Sequence, residues 1–444
     1  GRTYPARSEG PYMRIAIIGS GISGNSAAYA LCDQHEVVLY EKRLRPGGHS
    51  ATVDIDYDGV EMAVDTGFIV YNELNYPNLT ALFAHLGVKT EASDMSFALS
   101  VDGGAREWAG TSLNTVFAQR SNLVSPRFLW MLREILRFNR ICPKDRAAGL
   151  VKGLSLGDYM TLRKFSRAFV DDYLVPMGAA IWSTPPSQML AFPAESFISF
   201  FENHRLINFD RPIWRTVSGG SRNYVQRLID PLKGNVRLGT PVAGVRREGG
   251  KVHVRDVSGH TDVFDQVILA SHTDQTLAML EDPNEDERRI LGAIRYRPNA
   301  VYLHRDLALM PKRRRVWSSW NYMARTDAEA NTDVSVSYWM NLLQNLDRSR
   351  PLFVSLNPPE APRDDLTFAR FTYDHPQFDA AALAAQAELP SIQGVNQLWY
   401  CGAWSGHGFH EDGLVSGLKV ARALGAVLPW DTVAGTLDPL RNGR

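Results

Sequence analysis

Residues 13–41 read MRIAIIGSGISGNSAAYALCDQHEVVLYE. Arg14 to Ile18 form a short apolar run, as a strand buried on both faces requires. Gly19-Ser20-Gly21-Ile22-Ser23-Gly24 follows, a G-x-G-x-x-G that opens a helix rich in small residues (Ser26, Ala27, Ala28, Ala30). A second apolar run ends at Glu41, 17 residues past Gly24. Strand, glycine turn, helix, strand and acid stand in the order of a dinucleotide-binding β-α-β unit. Gly19 permits the tight turn, Gly21 lets the backbone approach a pyrophosphate, and Gly24 lets helix and strand pack closely. The amides at the helix start, from Ser20 through Ile22 and Ser23, are then available to phosphates. Glu41 suits a ribose hydroxyl and disfavours a 2′-phosphate, so NADP is not expected here.

From Glu41 the chain continues EKRLRPGGHSATV. This resembles the second signature of the flavin amine oxidoreductase superfamily, E-x-x-x-R-x-G-G-R. That group includes monoamine oxidases, protoporphyrinogen oxidase and phytoene desaturases. Glu41, Arg45, Gly47 and Gly48 match it, and Lys42 lies between them; His49 stands where the family usually has arginine. The resemblance implies FAD, bound non-covalently, with Arg45 near the pyrophosphate and the glycine pair passing the ribityl and flavin. In AVDTGFIVYNELNYPNL (63–79), Asp65, Gly67 and Phe68 resemble the family's D-x-G strand end. That element runs past the flavin face and would set Thr66, Gly67, Phe68 and Ile69 beside it. Farther on, the family's order of glycine pair, helix and V-x-x-V strand implies a backbone contact from Val242 to adenine.

CGAWSGHGFHEDGLVSGLKVA (401–421) closes the pattern. A short strand is expected at Leu398 to Cys401, with a tight exit at Gly402 and Ala403. From Gly413 the apolar residues Leu414, Val415, Leu418, Ala421 and Leu424 recur at helical spacing. Glu411 and Asp412 stand where acids satisfy first-turn amides. Gly408, Phe409 and Glu411 match the family's glycine–aromatic–x–Glu element. By that resemblance the amides of this helix start, around Asp412, Gly413 and Leu414, face the flavin pyrimidine edge. Developing negative charge is stabilised there. The acids cap the helix or hold the ribityl chain. His410 either orients substrate and moves a proton, or caps the helix through the backbone. Cys401, at a strand end, reads as a core residue rather than a point of covalent flavin attachment.

The rest of the chain, with GAAIWSTPPSQMLAFPAESFISFFENHRL (178–206) and NAVYLHRDLALMPKRRRVWSSWNYM (299–323), resembles one bacterial branch of the superfamily. Similar chains occur beside, or fused to, cyclopropane fatty acid synthases, and some relatives are implicated in desaturating methylated fatty acyl chains. The resemblance implies a lipid-like substrate and a functional partnership with a fatty acyl methyltransferase. In the amine oxidases a lysine lies near the flavin and a tyrosine on its second face; these positions fall at Asn299 and Phe409. A long apolar substrate fits that departure better than an amine. A flavin amine oxidase, a flavoprotein partner without turnover of its own, and an NAD-dependent dehydrogenase remain as alternatives.

The implied fold is α/β. A Rossmann-like FAD-binding domain with a parallel sheet (13–95, 215–275 and 391–430) is interleaved with an α+β substrate domain of the amine oxidase type (96–214 and 276–390). Residues 1–12 read as a disordered leader and 431–444 as a tail. Lys+Arg and Asp+Glu are both 48, which argues against a nucleic-acid partner. Three scattered cysteines give neither a disulfide framework nor a metal site, so a reducing, cytoplasmic home is expected. No run of about 18 apolar residues suggests a membrane span. SPRFLWMLREILRFNRI (125–141) sets Leu129, Leu132, Ile135, Leu136 and Phe138 in one stripe and Arg133, Arg137 and Arg140 in another. Such a helix rests on an anionic membrane, peripheral to the inner membrane, or packs as a core helix with solvated arginines. MPKRRRVW (310–317) reads as a solvated turn.

Overall fold

A computed structural model describes residues 10–110, 119–182, 184–203, 213–326 and 332–428. Most of the leader and the whole 431–444 tail lie outside the described residues.

Five short strands make a wholly parallel sheet, in the order Val236–Arg237, Glu36–Tyr40, Arg14–Ile18, Gln266–Leu269, Leu398–Tyr400. Side chains alternate along the first strand, so each face gets its own layer. Ile15 and Ile17 pack under helices Ile22–Leu31 and His410–Ala423. Ala16 and Ile18 face the antiparallel meander of Val242–Glu248, Lys251–Asp256 and Thr261–Phe264. A β-strand rich in Ile and Val with no exposed face is the physical requirement of this arrangement, and the first quoted stretch meets it.

A second, seven-stranded sheet runs Thr367–Gln377, Arg295–His304, Phe353–Leu356, Thr332–Trp339, Trp320–Thr326, Phe97–Val101, Arg106–Ala109. All neighbours are antiparallel except Trp320–Thr326 beside Phe97–Val101. A helical layer led by Pro126–Ala147 and Ala194–Asn203 covers it through an aromatic core that includes Phe138, Phe169, Phe197 and Phe201. The Ser125 hydroxyl accepts from the Phe128 amide and Pro126 occupies the first turn, which fixes where the long helix starts.

Three local expectations shift. The last helix starts at His410, not Gly413, so His410, Glu411 and Asp412 form its first turn. The 129–138 stripe splits: Phe138 is buried, whereas Leu129 and Leu136 are exposed. The basic stretch 310–317 keeps Lys312, Arg314 and Arg315 exposed, as a solvated turn does, but its backbone and Arg313 are also folded around a buried acid. The Lys312 and Arg313 amides and the Arg313 guanidinium all donate to Glu107, which is fully buried. No helix among the described residues is long and apolar enough to cross a membrane.

Candidate active site

The two ends of the chain meet where helices Ile22–Leu31 and His410–Ala423 cross. The Ser23 hydroxyl donates to the Gly413 carbonyl at 2.8 Å. A Cβ on Gly417 would stand 2.2 Å from the Ser23 carbonyl oxygen, and one on Gly413 would stand 2.8 Å from the Ile22 side chain. Only glycine permits this approach. Both helix starts therefore open on one cavity of about 770 Å³.

The nucleotide end is lined by Gly19, Ser20, Gly21, Ile22, Ser23, Glu41, Lys42 and Val242. The space over Gly21 is open: a Cβ there would meet nothing within 4 Å. Gly24 stands behind, because a Cβ on it would fall 1.8 Å from the Gly19 carbonyl oxygen. Glu41 is held toward the cavity by the Ser20 hydroxyl at 2.8 Å and the Arg43 amide at 3.0 Å. The open cradle, the helix start and the oriented acid fit a dinucleotide.

The middle of the cavity is lined by Gly48, His49, Thr66, Gly67, Phe68, Ile69, Gly402, Ala403 and His410. Arg45 and Gly47 are not in the lining. The Arg45 guanidinium donates to the carbonyls of Pro46, Gly48 and Ser50, so it shapes the glycine turn from behind instead of reaching the cavity. Glu411, Asp412, Gly413 and Leu414 also lie outside the lining. The Glu411 carboxylate accepts the Asn78 and Leu79 amides, both at 2.9 Å, and so caps helix Pro77–Leu86 rather than holding a ribityl chain. Asp412 accepts the His407 and Phe409 amides, and Leu414 is core.

His410 projects into a polar knot. Its Nε2 shares a hydrogen bond with the Tyr224 hydroxyl at 2.5 Å, Ser50 lies 3.3 Å away and also bonds Tyr224, and the ring stacks on Phe68 at 3.9 Å. Burial holds its pKa down at about 3, so the imidazole is neutral near pH 7. A neutral imidazole bonded to Tyr224 and stacked on Phe68 is held in one orientation here.

The lining residues that sequence reasoning passed over include His272, Arg43 and His375, each with a basic side chain. His272 lies three residues past the strand Gln266–Leu269, and the rule that ligands gather at the carboxyl ends of parallel strands pointed to it. Arg43 lies inside the quoted signature. His375 had no sequence signal, because it reaches the site by cross-strand pairing. Its Nδ1 accepts from Asn299 Nδ2 at 2.5 Å, and Asn299 Oδ1 accepts from Asn357 at 2.6 Å. Asn299 itself is fully buried and does not line the cavity. At position 299 this chain has an amide that orients a histidine. Among the described residues no cluster of His, Cys, Asp and Glu could hold a metal.

The family model described as flavin containing amine oxidoreductase matches residues 22–302. The chain belongs to this family. Its fold is the Rossmann-like and amine-oxidase-type pair seen here. Zeta-carotene desaturase of Solanum lycopersicum is 42% identical over 72 residues, 16% of this chain and 12% of the desaturase. The Arabidopsis thaliana enzyme is 40% identical over 72 residues, 16% of this chain and 13% of its own. The chain thus matches only about an eighth of the length of these curated relatives. The structure of a CLA-producing fatty acid isomerase from P. acnes superposes with a TM-score of 0.65 at 14% identity, covering 93% of this chain and 98% of that one. Putrescine oxidase bound to putrescine gives 0.65 at 15%, covering 93% and 99%. Cyclohexylamine oxidase from Brevibacterium oxydans gives 0.62 at 16%, again 93% and 99%. At these identities the likeness of this flavin amine oxidoreductase to the solved structures is one of fold.

Proposed function

We propose that the chain is an FAD-dependent oxidoreductase that removes hydrogen from a lipid-like donor, most simply a fatty acyl chain, with FAD held non-covalently. The carrying observation is the scarcity of acid in the cavity. Among the described residues, Glu41 and Asp374 are its only lining carboxylates. Glu41 is engaged by Ser20 and Arg43 at the nucleotide end, and Asp374 is an exposed strand residue near His272. The far end is walled by Ile181, Trp182, Phe200, Trp320, Leu356 and Phe409. Phe200 and Phe409 stack at 4.6 Å and make one flat wall. A protonated amine in this space would be desolvated without a counter-ion, at a cost of several kcal/mol. An acyl chain gains about 0.8 kcal/mol per methylene buried.

A flavin bound at the cradle supplies the two-electron acceptor. The chain's residues do the rest. The amides from Ser20 to Ser23 and the Glu41 carboxylate hold the nucleotide, and the start of helix His410–Ala423 directs its positive end to the cavity. Phe200 and Phe409 position the donor and exclude water. Asn299 fixes the His375 ring, and Tyr224 fixes His410. None of the three cysteines lines the cavity, and burial pushes the Cys401 thiol up to about 12, which supports non-covalent binding. The fatty acid isomerase and the carotene desaturases are named for long apolar substrates, in keeping with this reading. The expected partner is a fatty acyl methyltransferase, whose branched acyl product would be the donor.

The test is anaerobic bleaching of the bound flavin by phospholipids, methylated and unmethylated fatty acids, carotenoids and amines. Bleaching by acyl lipids is expected. Bleaching by amines alone assigns the chain to amine oxidation and overturns the lipid reading. Acid precipitation should release the flavin from wild type and from Cys401→Ser alike.

A further inference from the structure

Helix Pro126–Ala147 is charged differently on its two sides. The inner side buries Phe128, Met131, Phe138 and Cys142, together with the helix's only acids, Glu134 and Asp145. Three of its cations are neutralised: Arg127 pairs with Asp172, Arg137 with Glu134 and Arg146 with Glu202. The outer side follows the spacing i, i+4, i+7, i+11 through Leu129, Arg133, Leu136 and Arg140, flanked by Trp130 and Lys144. Leu129, Trp130 and Leu136 are 43%, 47% and 58% exposed. The Arg133 guanidinium lies over the Trp130 ring, 4.7 Å from its centre. Among the described residues, no carboxylate forms an ion pair with Arg133, Arg140 or Lys144.

The chain as a whole is neutral, so this face is a local excess and not a share of a general basic charge. Three uncovered apolar side chains interleaved with three unpaired cations match the two layers of an anionic bilayer surface. Aliphatic and indole side chains enter the headgroup region, and arginine and lysine meet phosphate. A nucleic acid would satisfy the cations but leave Leu129 and Leu136 in water. We propose that this face docks the protein on an anionic membrane. Behind the helix, Phe138 packs on Phe201 at 6.2 Å, and the adjacent Phe200 lines the cavity. The docking face is thus one helix away from the substrate wall. The inference does not depend on a lipid donor, since docking is read from binding and not from turnover.

The test uses flavin-loaded full-length protein and sedimentation with vesicles of phosphatidylglycerol and phosphatidylcholine, against phosphatidylcholine alone. Wild type should bind the anionic vesicles, less as salt rises, with a blue shift of tryptophan emission. The triple variant Arg133→Glu, Arg140→Glu, Lys144→Glu should bind at least tenfold more weakly, and Leu129→Ser with Leu136→Ser should lose the blue shift. Both should keep wild-type flavin content and melting temperature, because none of these residues touches the cavity or a buried partner. Equal vesicle binding by wild type and the charge-reversed variant overturns the proposal, as does no binding by wild type. A lipid-free dimer that the same variants abolish would give the face to a second copy of the chain and also overturn it.

Discussion

Gly21 and Gly24 lie three positions apart in one motif and meet different constraints. Gly24 is a packing glycine, since a Cβ would collide with the Gly19 carbonyl at 1.8 Å. Gly21 sits at φ −70° over open space, a conformation any residue adopts. Gly24→Ala should therefore destabilise the apoprotein by about 1–3 kcal/mol. Gly21→Ala should leave apoprotein melting unchanged and weaken flavin retention by ~10-fold or more, the methyl occupying space the diphosphate needs. Melting of flavin-stripped protein and visible flavin absorbance separate the two. These roles were legible in the sequence because they are local: the turn, the helix start and the following strand lie within 29 residues of each other. The role of His375 was not legible, because Asn299, which orients it, and Asn357, which holds Asn299, come from distant parts of the chain.

At the scale of elements, two acids join segments that sequence spacing keeps apart. Glu411 lies in the first turn of the last helix yet caps helix Pro77–Leu86. Glu411→Ala should cost about 1–2 kcal/mol, the usual loss of a helix cap, measurable as a lower urea midpoint. Glu107 accepts the Ser100 hydroxyl, two amides and the Arg313 guanidinium with no exposure of its own. Removing it leaves several buried donors without an acceptor, so Glu107→Ala should cost about 2–4 kcal/mol. A solvated basic turn would show no such loss. Charge-run reasoning takes 310–317 as surface, which Lys312, Arg314 and Arg315 are, but misses the anchor, since Glu107 lies some 200 residues earlier.

For the whole molecule, burial of titratable groups sets the pH response. His49 and His410 are held down to about 3, and His375 and His304 to about 4, all mainly by desolvation, against an ordinary 6.5. Between about pH 4 and 6.5 the unfolded chain binds these protons and the folded chain does not. Their contribution is therefore present above 6.5 and lost as pH falls below it. Glu411 acts oppositely: burial raises it to about 7 from 4.5, so the folded chain holds one extra proton between those values. Burial also lowers His35 and His272 and raises Asp65 and Asp412, so six histidines stand against three acids, and the melting temperature should drop as pH falls from 6.5 to 5. His304 lies outside the cavity, bonded to Ser355 and to the Asp306 amide. His304→Gln should flatten that slope, and an unchanged slope would place the acid sensitivity elsewhere.

The amino-acid sequence determined the nucleotide cradle, the acid that faces it and the glycine-rich start of the last helix. Each depends on backbone freedom and hydrogen bonding among near neighbours. That both helix starts face one flavin followed from the family resemblance; only the tertiary structure decided which side chains line the cavity between them and that, among the described residues, its far wall lacks carboxylates. It also decided that Glu411 and Arg45 turn away while His272 and His375 turn in. Those outcomes depend on which distant strands pair and which side chains are buried together, and no spacing along a single chain encodes them directly.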